Sequence, residues 1–416
     1  MHRLLVVGLS LAFFQVSAQS VTTPYSNFGI GELNNISMPN QVGMAGVGVS
    51  TPHLYYINLE NPALLTYNIL TAFQVGMTTD IRSYTNGVDV ATDATASISH
   101  MVLSVPLIQN KWTSAVSLLP YSHVNYDLVS KAIVSNSTDS VTNYFNGSGG
   151  LSQVSWSHGF SITKMLNLGL RASYVFGSIN KNIGNKIETA NITSTYKVNY
   201  GRSTTYSDVV FTASLAYKNK IGEGAFLHYG LIYDFAGSLG GNETEVLSRL
   251  TSVNAELSRI EVSQDVPVSF QLPSSLSFGI TYEQINKTLL GVDVELLQWA
   301  STNTSNQSTL KNTINIAVGA QITPDYKDVN SYFKRLDYRF GINYQQLPYL
   351  INQTDINEIG INFGVSFPTK NFSSVDGGLR FGSRGSTENN LLRENFVQIV
   401  FGMTINDRWF IKRRYD

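Results

Sequence analysis

The stretch Ile359-Gly360-Ile361-Asn362-Phe363-Gly364-Val365-Ser366-Phe367 alternates strictly between large apolar residues and small or polar residues. Successive side chains of a β-strand point to opposite faces, so this stretch forms a ribbon with one apolar face and one polar face. About fourteen such stretches follow one another between Leu70 and Ile405. Their polar faces, rich in Gly, Ser, Asn and charged residues, cannot cover a second apolar layer. The pattern therefore predicts an all-β fold, a transmembrane antiparallel β-barrel of about fourteen strands with lipid outside and water or a polar plug inside.

The predicted strands are mostly ten to fifteen residues long, and the alternation is clean in most of them. The stretches at 97–107 and 112–126 match the pattern less well. The predicted strands are 70–83, 97–107, 112–126, 151–162, 166–177, 205–217, 226–235, 274–283, 288–298, 313–322, 335–346, 356–367, 374–382 and 394–405.

The links between these strands alternate in length, which is an independent sign of a membrane barrel. Outer-membrane barrels have short periplasmic turns and long external loops. Long links are expected at 127–150, 178–204, 236–273 and 299–312. The link 236–273 has apolar residues at helical spacing but also fits two strands, and we favour strands. Aromatic residues at predicted strand ends indicate an interfacial girdle that includes Tyr126, Tyr217, Tyr233, Trp299 and Tyr349.

Composition excludes several classes of protein. The chain has 416 residues, a formal net charge of -1, no cysteine and only 14% charged residues. A soluble protein typically has about a quarter of its residues charged. The near-neutral charge gives no sign of a nucleic-acid partner, and the lack of cysteine excludes disulfides, thiolate metal sites and a lipidated N-terminal cysteine.

The N-terminus has the pattern of a secretory signal peptide. His2 and Arg3 precede an apolar run at residues 4–14, and Val16-Ser17-Ala18 fits a cleavage site before Gln19. The sequence therefore predicts a signal peptide at 1–18, a plug or periplasmic segment at 19–69, a barrel at 70–405 and a basic tail at 406–416. We expect the protein to be an integral component of the outer membrane of a Gram-negative bacterium.

Two motifs give the chain a resemblance to the FadL-like family of outer-membrane transporters for hydrophobic compounds. One is Gly43-Met44-Ala45-Gly46-Val47-Gly48, followed by Asn58 and by Asn61-Pro62-Ala63-Leu64-Leu65, directly before the first strand. The other is the stretch LPSSLSFGI at 272–280, which opens a strand in the middle of the barrel. The strand count matches that family too, and the resemblance extends over nearly the whole mature chain.

The resemblance implies a monomeric barrel with an N-terminal lumenal hatch. It also implies a hydrophobic ligand that enters from outside and leaves sideways through the wall into lipid. The residues expected to form the hatch and its gate are Gly43, Gly46, Gly48, Asn61, Pro62 and Ala63.

Ionised side chains on the polar faces are expected to point into the lumen, because on the lipid face Arg or Lys costs about 2–4 kcal/mol near the membrane midplane. These charges either grip the hatch or a ligand carboxylate, or form ion pairs that fill the barrel; we favour ion pairs. The predicted lumen-facing charges are Arg171, Asp293, Glu295, Asp337, Arg339 and Arg380.

No catalytic motif is present in the sequence, and the six histidines are scattered without ligand spacing. We therefore predict that the protein is not an enzyme and has neither a cofactor nor a metal site. The predicted function is outer-membrane transport of small hydrophobic molecules, either fatty-acid-like or aromatic, with lateral exit. The alternative is a non-transporting FadL-like subunit of an outer-membrane secretion or assembly complex, because the external loops are rich in Asn, Ser and Thr. The expected partners are membrane lipids, a hydrophobic ligand and other envelope proteins.

Overall fold

The fold is a ring of fourteen antiparallel strands. The computed structural model describes residues 23–133, 139–188, 196–251, 254–302, 310–369 and 372–409. The barrel strands are β1 (Thr71–Thr85), β2 (Val90–Ile108), β3 (Trp112–Ile133), β4 (Ser140–Ser161), β5 (Leu166–Glu188), β6 (Tyr196–Gly222), β7 (Ala225–Asp234), β8 (Ser275–Gln284), β9 (Thr288–Leu297), β10 (Thr313–Ile322), β11 (Asp337–Ile351), β12 (Thr354–Pro368), β13 (Ser374–Arg384) and β14 (Arg393–Asp407).

The ring closes because the last strand pairs with the first. Asp407 of β14 lies opposite Thr71 of β1, and this ladder continues to Arg393 opposite Thr85. Across the external insertion, β7 and β8 pair directly from Ser275 opposite Asp234. The prediction of a closed antiparallel barrel of about fourteen strands is confirmed.

The outer surface of the ring is a belt of exposed apolar side chains. Phe278 is 45% exposed, Val292 45% and Ile342 47%, and similar residues recur on neighbouring strands. An exposed apolar surface of this extent marks a membrane or binding interface rather than a soluble surface. Strands β7 to β10 have ten residues each, the length that a tilted strand needs to cross a bilayer. Among the described residues, no helix is long and apolar enough to span a membrane.

On one side of the barrel, the strands extend beyond the apolar belt and form a raised wall. The sequence analysis predicted only part of these extended strands. Strands β3 to β6 have 22 to 27 residues, so most of the expected loops at 127–150 and 178–204 are strand. The insertion at 236–273 forms a hairpin of strands Gly237–Thr251 and Glu256–Leu272, which confirms the preference for strands there. Its first strand pairs with residues 196–206 of β6. Polar strands continue in this way because backbone pairing needs no apolar face above the membrane.

The ladder between β3 and β4 has a shift between Pro120 and Ser122. An extra residue of this kind moves the following side chains to the opposite face. Tyr126 is therefore only 4% exposed and lies inside the barrel. The prediction that Tyr126 belongs to the interfacial aromatic girdle is wrong. That prediction also failed for the buried Trp299 and Tyr349, whereas Tyr217 and Tyr233 are exposed on the outside.

The chain before β1 packs against inward-facing residues of the ring. It contains the 3-10 helices Pro24–Asn27 and Pro62–Tyr67, the short helix Pro39–Val42 and a two-residue strand, Glu32–Leu33. We call residues 23–36 the outer lid and residues 38–67 the inner plug. The predicted signal peptide and residues 410–416 of the predicted tail lie outside the described residues, and β14 itself runs to Asp407.

Candidate functional site in the plugged lumen

The inner plug follows the inside of the wall, and it meets a glycine at nearly every strand. Where two backbones approach closely inside a sheet, only glycine leaves enough room. A Cβ atom added at Gly341 would lie 2.4 Å from the carbonyl carbon of Met44, and one added at Gly169 would lie 2.1 Å from the nitrogen of Ala63. The wall glycines in such contact with the plug are Gly159, Gly169, Gly230, Gly279, Gly291, Gly319, Gly341, Gly364, Gly378 and Gly402.

These glycines lie beside one another across the strand ladders. Gly291, Gly319 and Gly341 face each other in turn on β9, β10 and β11. The other neighbouring pairs are Gly159 with Gly169, Gly230 with Gly279, and Gly364 with Gly378. We call this set the glycine ring. It forms one level of the barrel, at which the plug occupies the space of the missing side chains, with its backbone at Gly169, Gly230 and Gly341 and with side chains at Gly291, Gly378 and Gly402.

The predicted hatch residues lie in this plug. Gly43 packs against Gly364, and Gly46 has a φ of +85°, which favours glycine. The amide of Gly48 donates a hydrogen bond of 2.8 Å to Asp293.

Asn61 begins the helix Pro62–Tyr67 and links it to the wall. Its Oδ1 accepts from the amide of Ala63 at 3.0 Å, and its Nδ2 donates to the carbonyls of Val49 and Leu215. Asn at the N-cap and Pro at the first helical position are the residues that a helix start prefers. Six predicted hatch residues are thus brought together, and their role as a gate remains a prediction.

Three of the predicted lumen charges hold the plug directly. Asp293 accepts hydrogen bonds from Gly48 and Val49, and Arg171 donates to the carbonyl of Leu59 at 2.8 Å. The guanidinium of Arg339 lies 5.7 Å from the ring centre of Tyr56. Arg171 also forms an ion pair with Asp234 at 3.4 Å. The lumenal charges therefore both hold the plug and form ion pairs within the wall.

The other three predicted charges contact wall residues. Glu295 accepts from Asn315 at 2.8 Å, Asp337 pairs with Arg339 at 3.3 Å, and Arg380 pairs with Glu358. The contacts of Glu295 and Arg380 join neighbouring strands, whereas the pair of Asp337 and Arg339 lies within β11.

The outer lid closes the external end of the lumen with apolar contacts. Tyr25 is 4% exposed and packs in a cluster with Trp299, Leu347 and Tyr349 at the external strand ends. The ring of Phe28 stacks on Tyr349 with centroids 4.5 Å apart. On the side of the wall, the Nζ of Lys181 donates to the carbonyls of Asn27 and Gly29 at 2.7 and 3.0 Å.

Beneath the lid lies a buried ion-pair cluster, which the sequence analysis missed. Glu32 of the lid contacts Arg82 of β1 at 3.3 Å and Arg384 of β13 at 2.5 Å. Arg384 also pairs with Glu358, and Arg82 with Glu394. We call these five residues the lid lock. Arg82 lies an even number of residues after the inward-facing Gln74 and Gly76, so the alternation of the strand predicts that it points inward. The sequence does not indicate which residues it pairs with.

The lock keeps the carboxylate of Glu32 ionised. Burial alone would raise the pKa of Glu32, but the guanidiniums of Arg384 and Arg82 outweigh burial and hold this pKa well below its usual range. A buried carboxylate with two guanidinium partners is stable only while both partners remain.

Between the lid and the plug there is a cavity of about 830 Å³. Its wall combines apolar surface with eleven charged residues among those described, whereas cavities that bind hydrocarbons usually have few polar groups. The charged residues that line it are Glu32, Glu60, Asp80, Arg82, Arg171, Asp234, Asp293, Glu295, Glu358, Arg380 and Arg384. Within the described ranges, no cluster of three or more His, Cys, Asp or Glu residues has a spacing that could hold a metal ion.

The cavity reaches a seam in the wall between β2 and β3. These strands pair only from Ile108 opposite Trp112 to Met101 opposite Leu118. Beyond that point β3 pairs with residues Glu32–Leu33 of the lid instead. Residues of both lips line the cavity, among them Ile98 and Pro120.

The sequence model of the BamG family matches residues 1–416. The chain belongs to the BamG family. None of the curated proteins matches the chain. The structural comparison gives this BamG-family barrel the fold of FadL-type outer-membrane barrels.

Three solved structures illustrate the likeness of fold. The monoaromatic hydrocarbon channel CymD shares 16% identity over 92% of this chain and 99% of its own, with a TM-score of 0.56. The toluene transporter TbuX of Ralstonia pickettii shares 14% over 90% of this chain and 99% of its own, with a TM-score of 0.58. The toluene transporter TodX of P. putida shares 14% over 91% of this chain and 100% of its own, with a TM-score of 0.58.

Proposed function

We propose that this BamG-family barrel is a non-transporting subunit of an outer-membrane secretion or assembly complex. The observation that carries the proposal is the closure of the lumen at two levels, by the outer lid and by the inner plug. A fold supports many functions, and function depends on the site that the fold carries. The hydrocarbon channels share the fold at 14–16% identity, whereas the BamG family model covers the whole chain.

The chemistry of the cavity supports this proposal. A hydrophobic molecule in the cavity would lie against Arg82, Arg384 and their carboxylate partners. Charged groups that lose hydration without gaining a partner raise the free energy of such a complex. The raised wall, with strands of up to 27 residues and the added hairpin, supplies an extended surface outside the membrane on which another protein can dock.

Affinity purification after extraction in a mild detergent tests the proposal. We expect a protein partner in a fixed ratio to the barrel, retained through size-exclusion chromatography. A barrel that elutes alone, with a hydrophobic compound in its lumen, would count against a subunit. An unrelated barrel extracted from the same membranes is the control for non-specific association.

The seam between β2 and β3 favours a second candidate function, the lateral passage of small hydrophobic molecules. In this case Gly43, Gly46, Gly48 and the Asn61-Pro62-Ala63 turn act as the gate, and the seam is the exit into lipid. Lateral exit spares an apolar molecule the passage through water. The hydrocarbon channels CymD, TbuX and TodX share the fold and give this candidate its substrate class.

Bridging the seam tests the second candidate. Ile98→Cys and Pro120→Cys lie on opposite lips, and a bifunctional thiol reagent can join them because the chain has no other cysteine. Transport predicts that the bridge abolishes uptake of a hydrophobic probe. The control bridges Val318→Cys and Ile342→Cys, which face each other in a closed ladder. Equal uptake by both bridged barrels would exclude passage through the seam.

A further inference from the structure

A row of apolar side chains crosses the inner face of the raised wall, above the outer lid. Its six members lie directly opposite one another on six neighbouring strands, from β3 to the second strand of the hairpin. The row faces inward, because Lys181, two residues before Ile183 on the same strand, reaches the carbonyls of the lid. We call this row the apolar strip; it consists of Leu128, Phe145, Ile183, Tyr200, Leu247 and Ile260.

The strip becomes more exposed with distance from the lid. At its β3 end it continues a buried cluster that contains Ile30 of the lid. Further along, Ile183, Leu247 and Ile260 are 43%, 38% and 61% exposed. They lie above the apolar belt and on the inner face, so lipid does not cover them. A contiguous exposed apolar surface of this kind marks an interaction site.

The strip lies on an open sheet face and not in a pocket. None of its six members lines the cavity between the lid and the plug. A small hydrophobic ligand is usually enclosed by its site, which covers most of the ligand surface. Aromatic and arginine side chains on a broad face are instead typical of protein interfaces. The strip therefore suits a protein partner better than a small ligand.

Charged side chains flank the strip on both sides, but only those nearer the lid are neutralised. On that side Arg202 pairs with Glu243 and Glu245 at 3.5 and 2.9 Å. On the other side the guanidinium of Arg249 lies 5.3 Å from the ring centre of Tyr196. Among the described residues, no carboxylate lies within ion-pair distance of Arg249. A complementary partner therefore presents a carboxylate at this point.

The length of the strip suits an α-helix. Five strand spacings of about 4.8 Å make the strip about 24 Å long. A helix of about 16 residues has this length and can present one continuous apolar face. An extended segment laid across the strands would place only every second side chain on the strip.

We infer that the apolar strip receives one amphipathic helix of a partner protein, whose apolar face covers the strip and whose acidic residue pairs with Arg249. This inference rests on the proposed function as a complex subunit and names the place and the chemistry of the contact. Burial of the strip supplies affinity, and the ion pair fixes the orientation of the helix. The strip of a second copy of the chain carries the same arginine and does not supply the acidic group.

Site-specific photo-cross-linking in the full chain tests the place of contact. Benzoylphenylalanine is placed at Ile183 or at Ile260. The control position is Val129, which follows Leu128, faces outward and is 61% exposed, as Ile260 is. We expect the partner to be joined to positions 183 and 260 in several-fold higher yield than to position 129. Each variant is first checked for an unchanged thermal unfolding midpoint, so that a missing adduct is not due to misfolding.

The positions of the adducts in the partner test the helix. Positions 183 and 260 are three strand spacings apart, about 14 Å, which corresponds to about ten residues of a helix. Mass spectrometry should therefore place the two adduct sites about ten residues apart in one segment of the partner. A separation of about four residues would indicate an extended segment and would overturn the inference.

Charge reversal tests the acidic group. Arg249→Glu should lower the amount of partner that co-purifies several-fold, because it places two carboxylates against each other. The control is Arg259→Glu, which precedes Ile260 on the opposite face of the hairpin and pairs with Glu261 in an exposed position. Equal retention of the partner by the two variants would overturn the inference.

The outcomes separate the inference from the function on which it rests. If a partner co-purifies but cross-links no better at 183 and 260 than at 129, the inference is overturned and the subunit function stands. Adducts only to a lipid, to a fatty acid or to a second copy of the barrel would also overturn it. If no partner co-purifies at all, the proposed function itself fails, and the inference fails with it.

Discussion

At the scale of single residues, the stability of the barrel depends on buried ion pairs and on close contacts between the plug and the wall. In the lid lock, Glu32, Arg82 and Arg384 are largely buried and compensate one another. The sequence indicated which charges face the lumen, because alternation along each strand fixes direction. It could not indicate which charges meet, since Glu32 and Arg384 are 352 residues apart and come together only when the ring closes.

Removing Arg384 should destabilise the barrel strongly. Arg384→Met leaves the carboxylates of Glu32 and Glu358 buried with fewer partners, which costs about 3–5 kcal/mol. Thermal unfolding in detergent, followed by circular dichroism, should show a clear drop in midpoint. The matched control is Arg202→Met, whose ion pairs with Glu243 and Glu245 are half-exposed and contribute at most about 1 kcal/mol. Equal midpoints for the two variants would show that the lid lock does not stabilise the fold.

A methyl group on the glycine ring should displace the plug. Gly341→Ala places a Cβ 2.4 Å from the backbone of Met44, and relief of such overpacking costs about 1–3 kcal/mol. Gly377→Ala is the control, because a Cβ there has no atom within 4 Å. The unfolding midpoint should fall for the first variant and remain unchanged for the second. If Gly341→Ala is as stable as Gly377→Ala, the plug is not in contact with the wall at this level.

At the scale of elements, the alternating pattern predicted the strands accurately where they cross the membrane. Above the membrane it predicted them poorly. The apolar face is required only where lipid lies outside, so β8, β9 and β10 agree with the prediction to within one residue. The upper halves of β4 and β5 pair without such a face and were expected to be loops. The shift at Pro120 was also not predictable, because a bulge changes the alternation within a single residue.

The outer lid is the element whose release can be measured directly. The chain has no cysteine, so Ser26→Cys introduces a single thiol at a fully buried position of the lid. We expect slow labelling by a polar thiol reagent in this background. Labelling should become several-fold faster when Glu32→Gln weakens the lid lock. Equal rates in the two backgrounds would mean that the lock does not hold the lid.

The pH dependence of the lid follows from the pKa of Glu32. This pKa is lowered in the folded state, so the stabilisation that it provides is fully present above the unfolded-state pKa and is lost as the pH falls through the folded-state value. Labelling of Ser26→Cys should therefore not accelerate between pH 7 and about pH 5, where glutamate in an unfolded chain is still ionised. A marked acceleration within this range would contradict the assignment of Glu32 as ionised in the lock.

At the scale of the whole molecule, ring and plug form one structure. The plug meets β14 at Gly402 through Pro39, and β5 at Gly169 through Ala63, and between these points it contacts strand after strand in order. The sequence indicated a glycine-rich segment before the first strand, and the resemblance to FadL-like proteins assigned it to a lumenal hatch. The glycines of the wall looked like ordinary polar-face residues, because their match to the plug exists only in three dimensions.

The conductance of the purified full chain in a planar bilayer tests most directly the claim that the lumen is closed. With the lid and the plug in place, insertion of the wild-type barrel should produce no steady ion current. The Glu32→Gln/Asp293→Asn variant, which loses contacts to both the lid and the plug, should show intermittent openings. A steady, pore-sized conductance of the wild-type barrel would contradict the account.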